Sequence, residues 1–345
     1  WATWETVPVR SPTTGDGARG DSPASGPVAP GRNVPGPVPP EPPCSLPRRA
    51  ARPTRGGRRR LILLDIDGTL IDRDQRMPDS ARWACRRALG AGHVLMLCTG
   101  RSLPEVYPWL FDLGVAGIVA AGGGYVRVGA TVHSDIRLGR AAIEEVSAEL
   151  ESLGADWVWA SPDSFNPSPG FLRSFTDPDS GPHPGASWVE YVRQVSPWVH
   201  EGLPMTASKC TFTLPADRPA TVASVIDHFR GRHHVIPGSL GPGGRTGELV
   251  PLGVDKGVGL RLAAKVLGVP RADTVALGDS ENDLAMMEAA GTSVAMGNAC
   301  APVRAVADSV TTPVDRDGVA RAFEALGLVQ PGRGPAPWMP PATDR

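Results

Sequence analysis

The stretch LILLDIDGTL, residues 61–70, runs four aliphatic side chains into two carboxylates, Asp65 and Asp67, with a single residue between them. A short unbroken apolar run of this kind reads as a strand buried on both faces, as in a parallel sheet. Gly68 and Thr69 mark its end. Side chains alternate along a strand, so positions i and i+2 share a side, and the two acids are expected to start out aimed at neighbouring space unless the turn intervenes. An ordinary strand-end turn accounts for one Asp. A second anion beside it is costly unless a cation or a proton sits between them.

From Arg59 onward, strands and helices alternate. SARWACRRALGAG (80–92) reads as a helix closed by glycine, HVLMLCTG (93–100) as a second buried strand, and GIVAAGGGYVRV (117–128) as a third, followed by a hairpin. After a long interruption, VDKGVGLRLAAKVLG (254–268) is a helix and DTVALGDS (273–280) a strand. ENDLAMMEAAG (281–291) and TSVAMGN (292–298) repeat that pair, and DSVTT (308–312) with DGVARAFEALG (317–327) supplies a last strand and helix. This order predicts an α/β fold on a doubly wound parallel sheet, whose ligands bind beyond the carboxyl ends of the strands.

The interruption has a pattern of its own. LGRAAIEEVSAELESLG (138–154) is an amphipathic helix, ADWVWAS (155–161) and ASKCTFTL (207–214) are strands, ADRPATVASVIDHFRGR (216–232) is a helix and HHVIPGS (233–239) a strand. Together they predict an inserted α+β unit at 136–245, of about a hundred residues, large enough to be a domain. The first part of the sheet domain is then 58–135 and the second 246–328. GPGGRTG (241–247) lacks the Walker spacing and reads as a hinge between the two. Trp157 and Trp159 share a strand face, suited to packing on a helix of the insertion or to stacking on a sugar. His233 and His234 are adjacent on a strand and face opposite ways, which argues against a shared metal.

Residues 1–57 and 329–345 carry frequent Pro and Gly without apolar periodicity and are expected to be disordered. The basic run RRAARPTRGGRRR (48–60) reads as a solvated linker. A formal net charge of −1 argues against a globally basic nucleic-acid binder, and no apolar run is long enough for a membrane span. The five cysteines are scattered without metal-ligand or redox spacing, which suits reduced thiols in a cytoplasmic protein. Lysine occurs only at 209, 256 and 265 and asparagine only at 33, 166, 282 and 298, so each survivor invites attention.

Four segments carry polar groups at ends of the predicted elements: DIDGT (65–69), CTGR (98–101), DKG (255–257) and GDSEND (278–283). In a doubly wound sheet such ends converge on one crevice. Its inventory is four acids (Asp65, Asp67, Asp279, Asp283), one lysine, one threonine hydroxyl and the amides of helix starts. Clustered carboxylates suit Mg²⁺; a lysine, a hydroxyl and helix N-terminal amides suit a phosphate. Singly, each segment has a bland explanation in a cap, a turn or a surface charge. All four in order point to phosphoryl chemistry.

In this order the four segments resemble the signature motifs of the haloacid dehalogenase (HAD) superfamily of phosphohydrolases, and the long insertion resembles the cap of subclass IIB, the Cof-type sugar phosphatases. GELVPLGVDKG (247–257), VAMGNA (294–299) and DRDGVARAF (315–323) are further matches, and the resemblance covers about 58–328. It implies a Mg²⁺-dependent phosphatase acting on a small phosphorylated metabolite, most naturally a sugar phosphate, through an aspartyl-phosphate intermediate. Asp65 would be the nucleophile and Asp67 the general acid and base, its backbone carbonyl on the metal. Asp279 would ligate the metal directly, with Asp283 in support. The amides of Ile66 and Gly100, with Thr99, Lys256 and Asn282, would hold the phosphate; Thr69 and Arg101 would serve turn geometry. On this reading Mg²⁺ neutralises Asp65, and the negative field around it lets Asp67 hold a proton at neutral pH. The dehalogenase branch lacks the second Asp, so Asp67 argues for phosphoryl transfer. One departure is Gly122–Gly124 where subclass IIB often has Asn-Gly-Ala. A phosphomutase would use the same acids, and a non-catalytic binding protein on the same fold is opposed by their retention.

Overall fold

The computed structural model describes residues 58–176, 186–238 and 245–330. The first strands and helix are β1 (Leu61–Leu64), α1 (Asp79–Gly90), β2 (Val94–Cys98), β3 (Gly117–Ala120), β4 (Tyr125–Val128) and β5 (Thr131–Asp135). Then come β6 (Leu138–Gly139), α2 (Arg140–Ser152), β7 (Asp156–Ser161), β8 (Ser164–Pro167), α3 (Arg173–Thr176), α4 (Ala186–Val195), β9 (Thr206–Ala207), β10 (Lys209–Thr213), α5 (Val222–Phe229), β11 (His233–Pro237) and β12 (Thr246–Pro251). The chain finishes through α6 (Lys256–Val266), β13 (Thr274–Gly278), α7 (Leu284–Ala289), β14 (Thr292–Ala295), α8 (Ala301–Val306), β15 (Ser309–Val310) and α9 (Gly318–Ala325).

The larger sheet has eight strands in the order β15-β14-β13-β1-β2-β3-β4-β5, parallel from β15 to β3 and closed by the antiparallel pair β4 and β5. β1 is central, and its alternation divides two cores. Ile62 and Leu64 pack with α1 and α9, against Ala84, Cys85 and Phe323. Leu61 and Leu63 pack on the other face with α6, α7 and α8, against Leu260, Met286 and Val303. All four β1 side chains are fully buried, each contributing about 1.5–3 kcal/mol relative to exposure. The doubly wound α/β arrangement expected from the alternation is the one observed.

The second sheet, β11-β12-β10-β7-β8, is antiparallel. Helices α2 and α5 cover one face through Ile143, Val146, Leu150, Val225 and Phe229. Trp159 is fully buried in that layer, its Nε1 donating to Ser147 Oγ of α2 at 2.8 Å; this tryptophan is a packing residue.

Three expectations need correction. The insertion was expected to end at 245, but Thr246–Pro251 forms β12 inside the second sheet, so the chain returns to the larger one only after Pro251. Thr246 and Gly247, read as part of a hinge, open that strand; residues 241–244 lie outside the described residues. The tail was expected to begin at 329, yet Val329 is buried in the larger core. Residues 1–57 and 331–345, expected to be disordered, lie outside the described residues, as does most of the basic run 48–60. Its last residues reach the fold, with Arg58 Nε 2.7 Å from Asp273. Among the described residues no helix is long and apolar enough to cross a membrane.

Candidate active site

Parallel strands leave their polar ends together, and the four predicted segments meet beyond the carboxyl ends of β1, β2 and β13. Asp65 follows β1, Thr99 and Gly100 follow β2, Asp279 follows β13, and Lys256 opens α6. Asp255 caps that helix by accepting the Val258 N–H at 2.7 Å, which fixes where Lys256 starts. The Lys256 ammonium then binds three partners: Asp65 Oδ1 at 2.7 Å, Asn282 Oδ1 at 2.8 Å and Asp283 Oδ1 at 2.6 Å. Burial works against its charge, but Asp283 and Asp65 outweigh burial and hold its pKa above the ordinary lysine value. Lys256 is therefore a fixed cation.

Asp283 is committed on both oxygens. Oδ1 takes Lys256, while Oδ2 accepts the backbone N–H groups of Asp279 and Ser280 at 2.9 and 3.1 Å. Asp279 is held by Asn298, whose Nδ2 donates to Asp279 Oδ2 and to the Gly68 carbonyl. Gly68 sits at φ +73°, and a Cβ there would run into the Asp279 carboxylate. Its conformation and its lack of a side chain bring the turn after β1 onto Asp279. Gly123, at φ +112°, does the same on the other side: a Cβ would strike the Asp255 carbonyl, so the run Gly122–Gly124 lets the chain pass against the start of α6.

Oxygens of Asp65, Asp279 and Asp283 lie within 4.8 Å of one another. Asp279 Oδ1 is buried with no hydrogen-bond partner among the described residues. An orphaned carboxylate oxygen in an all-oxygen cluster fits a hard divalent cation. Burial and the neighbouring Asp283 push the Asp279 carboxyl up to about 7, and burial with Asp283 pushes Asp65 well above the carboxylate range despite Lys256. Negative charge is in excess there.

Asp67 departs from expectation. The chain turns at Ile66, whose carbonyl accepts from Leu70 and Ile71, and Asp67 lines the same pocket as Asp65. Arg101 grips its carboxylate with a two-pronged fork, Nε to Oδ2 at 2.8 Å and Nη2 to Oδ1 at 2.6 Å. Burial acts to raise the Asp67 pKa, but the Arg101 charge and hydrogen bonds carry it below the ordinary value. Asp67 is thus ionised in this arrangement rather than protonated by its neighbours, and Arg101 is its partner rather than a turn residue. The acidic cluster of Asp65, Asp279 and Asp283 does not include the Asp67 carboxylate. Among the predicted phosphate-binding residues, Thr99, Gly100 and Asn282 line the pocket with Asp65 and Asp67, and Ile66 is fully buried in the larger core.

The pocket is open to solvent and roofed by the second sheet. Lys209 and Glu248 line it and were not singled out as site residues, nor was Asn298. The available signal was scarcity, since Lys209 is one of three lysines and Asn298 one of four asparagines. His233 and His234 lie outside the pocket lining, with His234 Nδ1 against the Val254 carbonyl.

A sequence profile described as haloacid dehalogenase-like hydrolase matches residues 62–323, and the chain belongs to that family. YkrA of Bacillus subtilis (strain 168), which carries a phosphatase name, is 28% identical over 275 residues, 79% of this chain and 99% of its own. The 5-amino-6-(5-phospho-D-ribitylamino)uracil phosphatase YwtE of the same organism is 26% identical over 282 residues, 77% of this chain and 97% of its own. The HAD subclass IIB sugar phosphatase BT4131 has the same fold, at 22% identity and a TM-score of 0.64, covering 78% of this chain and all of that one. Within the family, the chain is a phosphoric monoester hydrolase.

Proposed function

We propose that this phosphatase is Mg²⁺-dependent, acts on a small phosphorylated metabolite of the sugar-phosphate kind, and works through a phosphoryl group carried on Asp65. The larger sheet with its helices is the catalytic core, and the second sheet with α2–α5 is a cap that roofs it. The observation that carries this reading is the triple contact of Lys256 with Asp65, Asn282 and Asp283. A buried cation there leaves room for the phosphoryl group between itself, the Thr99 hydroxyl and the Gly100 amide. Asp65 supplies the attacking oxygen. Asp65 and Asp279 would hold the Mg²⁺, with the Asp67 carbonyl as a further ligand and Asp283 bracing Asp279 through its backbone. The ion, when bound, supplies charge neutralisation for attack by one anion on another.

Asp67 is the acid–base. Its ionised state suits the second step, in which it takes a proton from the water that hydrolyses the phosphoenzyme. The first step needs it protonated, and the Arg101 fork opposes that until the fork releases. Four free thiols among the described residues, at 85, 98, 210 and 300, support a reducing, cytoplasmic setting.

The test separates the two acids. Asp65→Asn should form no phosphoenzyme with any ester. Asp67→Asn should lose turnover of alkyl phosphates by about 10²–10⁴-fold, because an alkoxide needs a proton to leave. With p-nitrophenyl phosphate, whose phenolate leaves readily, acid-quenched Asp67→Asn should carry a phosphoryl group on the peptide containing Asp65. Equal loss of aryl and alkyl turnover with nothing trapped would remove Asp67 from the acid–base role.

A further inference from the structure

Strands β10 and β12 alternate in a way that fold stability alone does not require. Cys210, Phe212 and Leu249 point into the apolar layer under α2 and α5. The positions between them, Lys209, Thr211, Thr213, Thr246 and Glu248, line the same pocket as Asp65 and Asp67. In register, Thr211 lies opposite Glu248 and Thr213 opposite Thr246. On β10 and β12 one face is packed carbon and the other is a polar roof over the reacting groups; beside them Val158 and Ala160 of β7 pack with the aromatic cluster of Phe171, Phe175, Trp188 and Tyr191, which also lines the pocket.

Two atoms of that roof are unmatched. Glu248 Oε2 and Thr211 Oγ1 are both buried, and neither has a hydrogen-bond partner among the described residues. They belong to directly opposed residues on adjacent strands. Glu248 Oε2 also lies over the phosphate loop, 2.7 Å from where a Cβ on Gly100 would stand. Buried polar atoms without partners are destabilising, and a pair of them facing a pocket marks where a ligand supplies what the protein omits.

The charges narrow the ligand further. Lys209 is almost fully buried and donates to Glu248 Oε1 at 2.8 Å and to the Gly100 carbonyl at 2.7 Å. It stays charged because Glu248 outweighs burial. Arg101, the other cation lining the pocket, is matched by Asp67. Among the described residues, the two cations lining the pocket are each paired with a carboxylate, and the unmatched oxygen of Glu248 repels a second anion. A hydroxyl can donate to Glu248 Oε2, and a neighbouring hydroxyl can exchange a hydrogen bond with Thr211.

We propose that Glu248 and Thr211 select the leaving group, and that it is a neutral polyhydroxylated alcohol without a carboxylate or second phosphate at this end of the pocket. Lys209 is a positioning residue that ties Glu248 to the Gly100 loop. This assignment rests on the phosphatase reading above and extends it to the substrate.

The test compares kcat/KM with Mg²⁺ for glucose 6-phosphate, sorbitol 6-phosphate, phosphoglycolate and p-nitrophenyl phosphate, in the wild type, Thr211→Val, Thr211→Ser and Glu248→Gln. The expected result is preference for one of the two polyol esters over phosphoglycolate. In Thr211→Val and Glu248→Gln, the ratio of kcat/KM for that ester to kcat/KM for the aryl ester should fall about tenfold or more. Thr211→Ser, which keeps the hydroxyl, should restore it. A wild-type enzyme that releases phosphate from none of the four overturns the phosphatase reading and this assignment with it. A wild type that prefers phosphoglycolate overturns the assignment alone. So does one that hydrolyses the polyol esters while both variants leave the ratio unmoved.

Discussion

Replacing Lys256 with methionine keeps an unbranched side chain of similar length and removes the charge that three other side chains share. In the metal-free protein this leaves the fully buried Asp283 and the nearly buried Asp65 without their common counter-ion. Breaking a buried ion pair by deleting one partner costs about 3–5 kcal/mol. At about 2–4 °C per kcal/mol for a folded unit of this size, the melting temperature in EDTA should drop by about 6–20 °C. The deficit has a pH signature. Burial and Asp283 already hold the Asp65 pKa above its unfolded value, and losing Lys256 raises it further. A carboxyl raised on folding holds a proton that the unfolded chain has released, so its stabilising contribution is lost as pH rises through the folded value. The gap between variant and wild type should therefore widen as pH rises above the unfolded carboxylate value. Mg²⁺ should raise the melting temperature of the variant more than that of the wild type, because the variant presents more uncompensated charge to the ion. The assay is thermal unfolding by circular dichroism at several pH values, with EDTA or Mg²⁺. A variant within about 2 °C of wild type in EDTA across this range would refute the role of Lys256 as counter-charge.

The metal-free wild type should show a weaker form of the same dependence. Asp279, raised to about 7 by burial and Asp283, contributes stability that is lost as pH rises through that value, so melting in EDTA should fall toward alkaline pH and Mg²⁺ should flatten the curve. Gly68→Ala places a Cβ at φ +73° against the Asp279 carboxylate; the backbone alone costs about 1–2 kcal/mol. The loss of kcat should exceed that stability cost, with a raised Mg²⁺ requirement in a metal titration of turnover.

Much of the larger sheet was legible because its strands are short apolar runs, such as Leu61–Leu64 and Val94–Cys98, each followed directly by a polar residue. The convergence of Asp65, Thr99, Lys256 and Asp279 follows from that topology. The partner of Asp67 was not legible. Strand alternation brings it toward the same pocket as Asp65, but no local rule foretells that Arg101 will meet it. Strand β12 was missed because Gly247 and Glu248 interrupt its apolar character; Glu248 is there to face the pocket, and Gly247 because Phe212 fills the space its side chain would take. Lys209 stood out only by rarity, since its partners, Gly100 and Glu248, are 109 and 39 residues away in sequence.

The alternation along β10 and β12 has a bearing on how such an enzyme changes over generations. Thr211, Thr213 and Thr246 touch the crevice, and their replacement leaves Cys210, Phe212 and Leu249 undisturbed on the opposite face. Selection on substrate range therefore has a row of positions where variants survive folding and are judged on turnover alone, while the intervening row is closed to drift. A duplicated copy could acquire a new leaving group through the pocket-facing row without revisiting Asp65, Lys256 or Asp279, and the reaction would be inherited intact while its substrate is renegotiated.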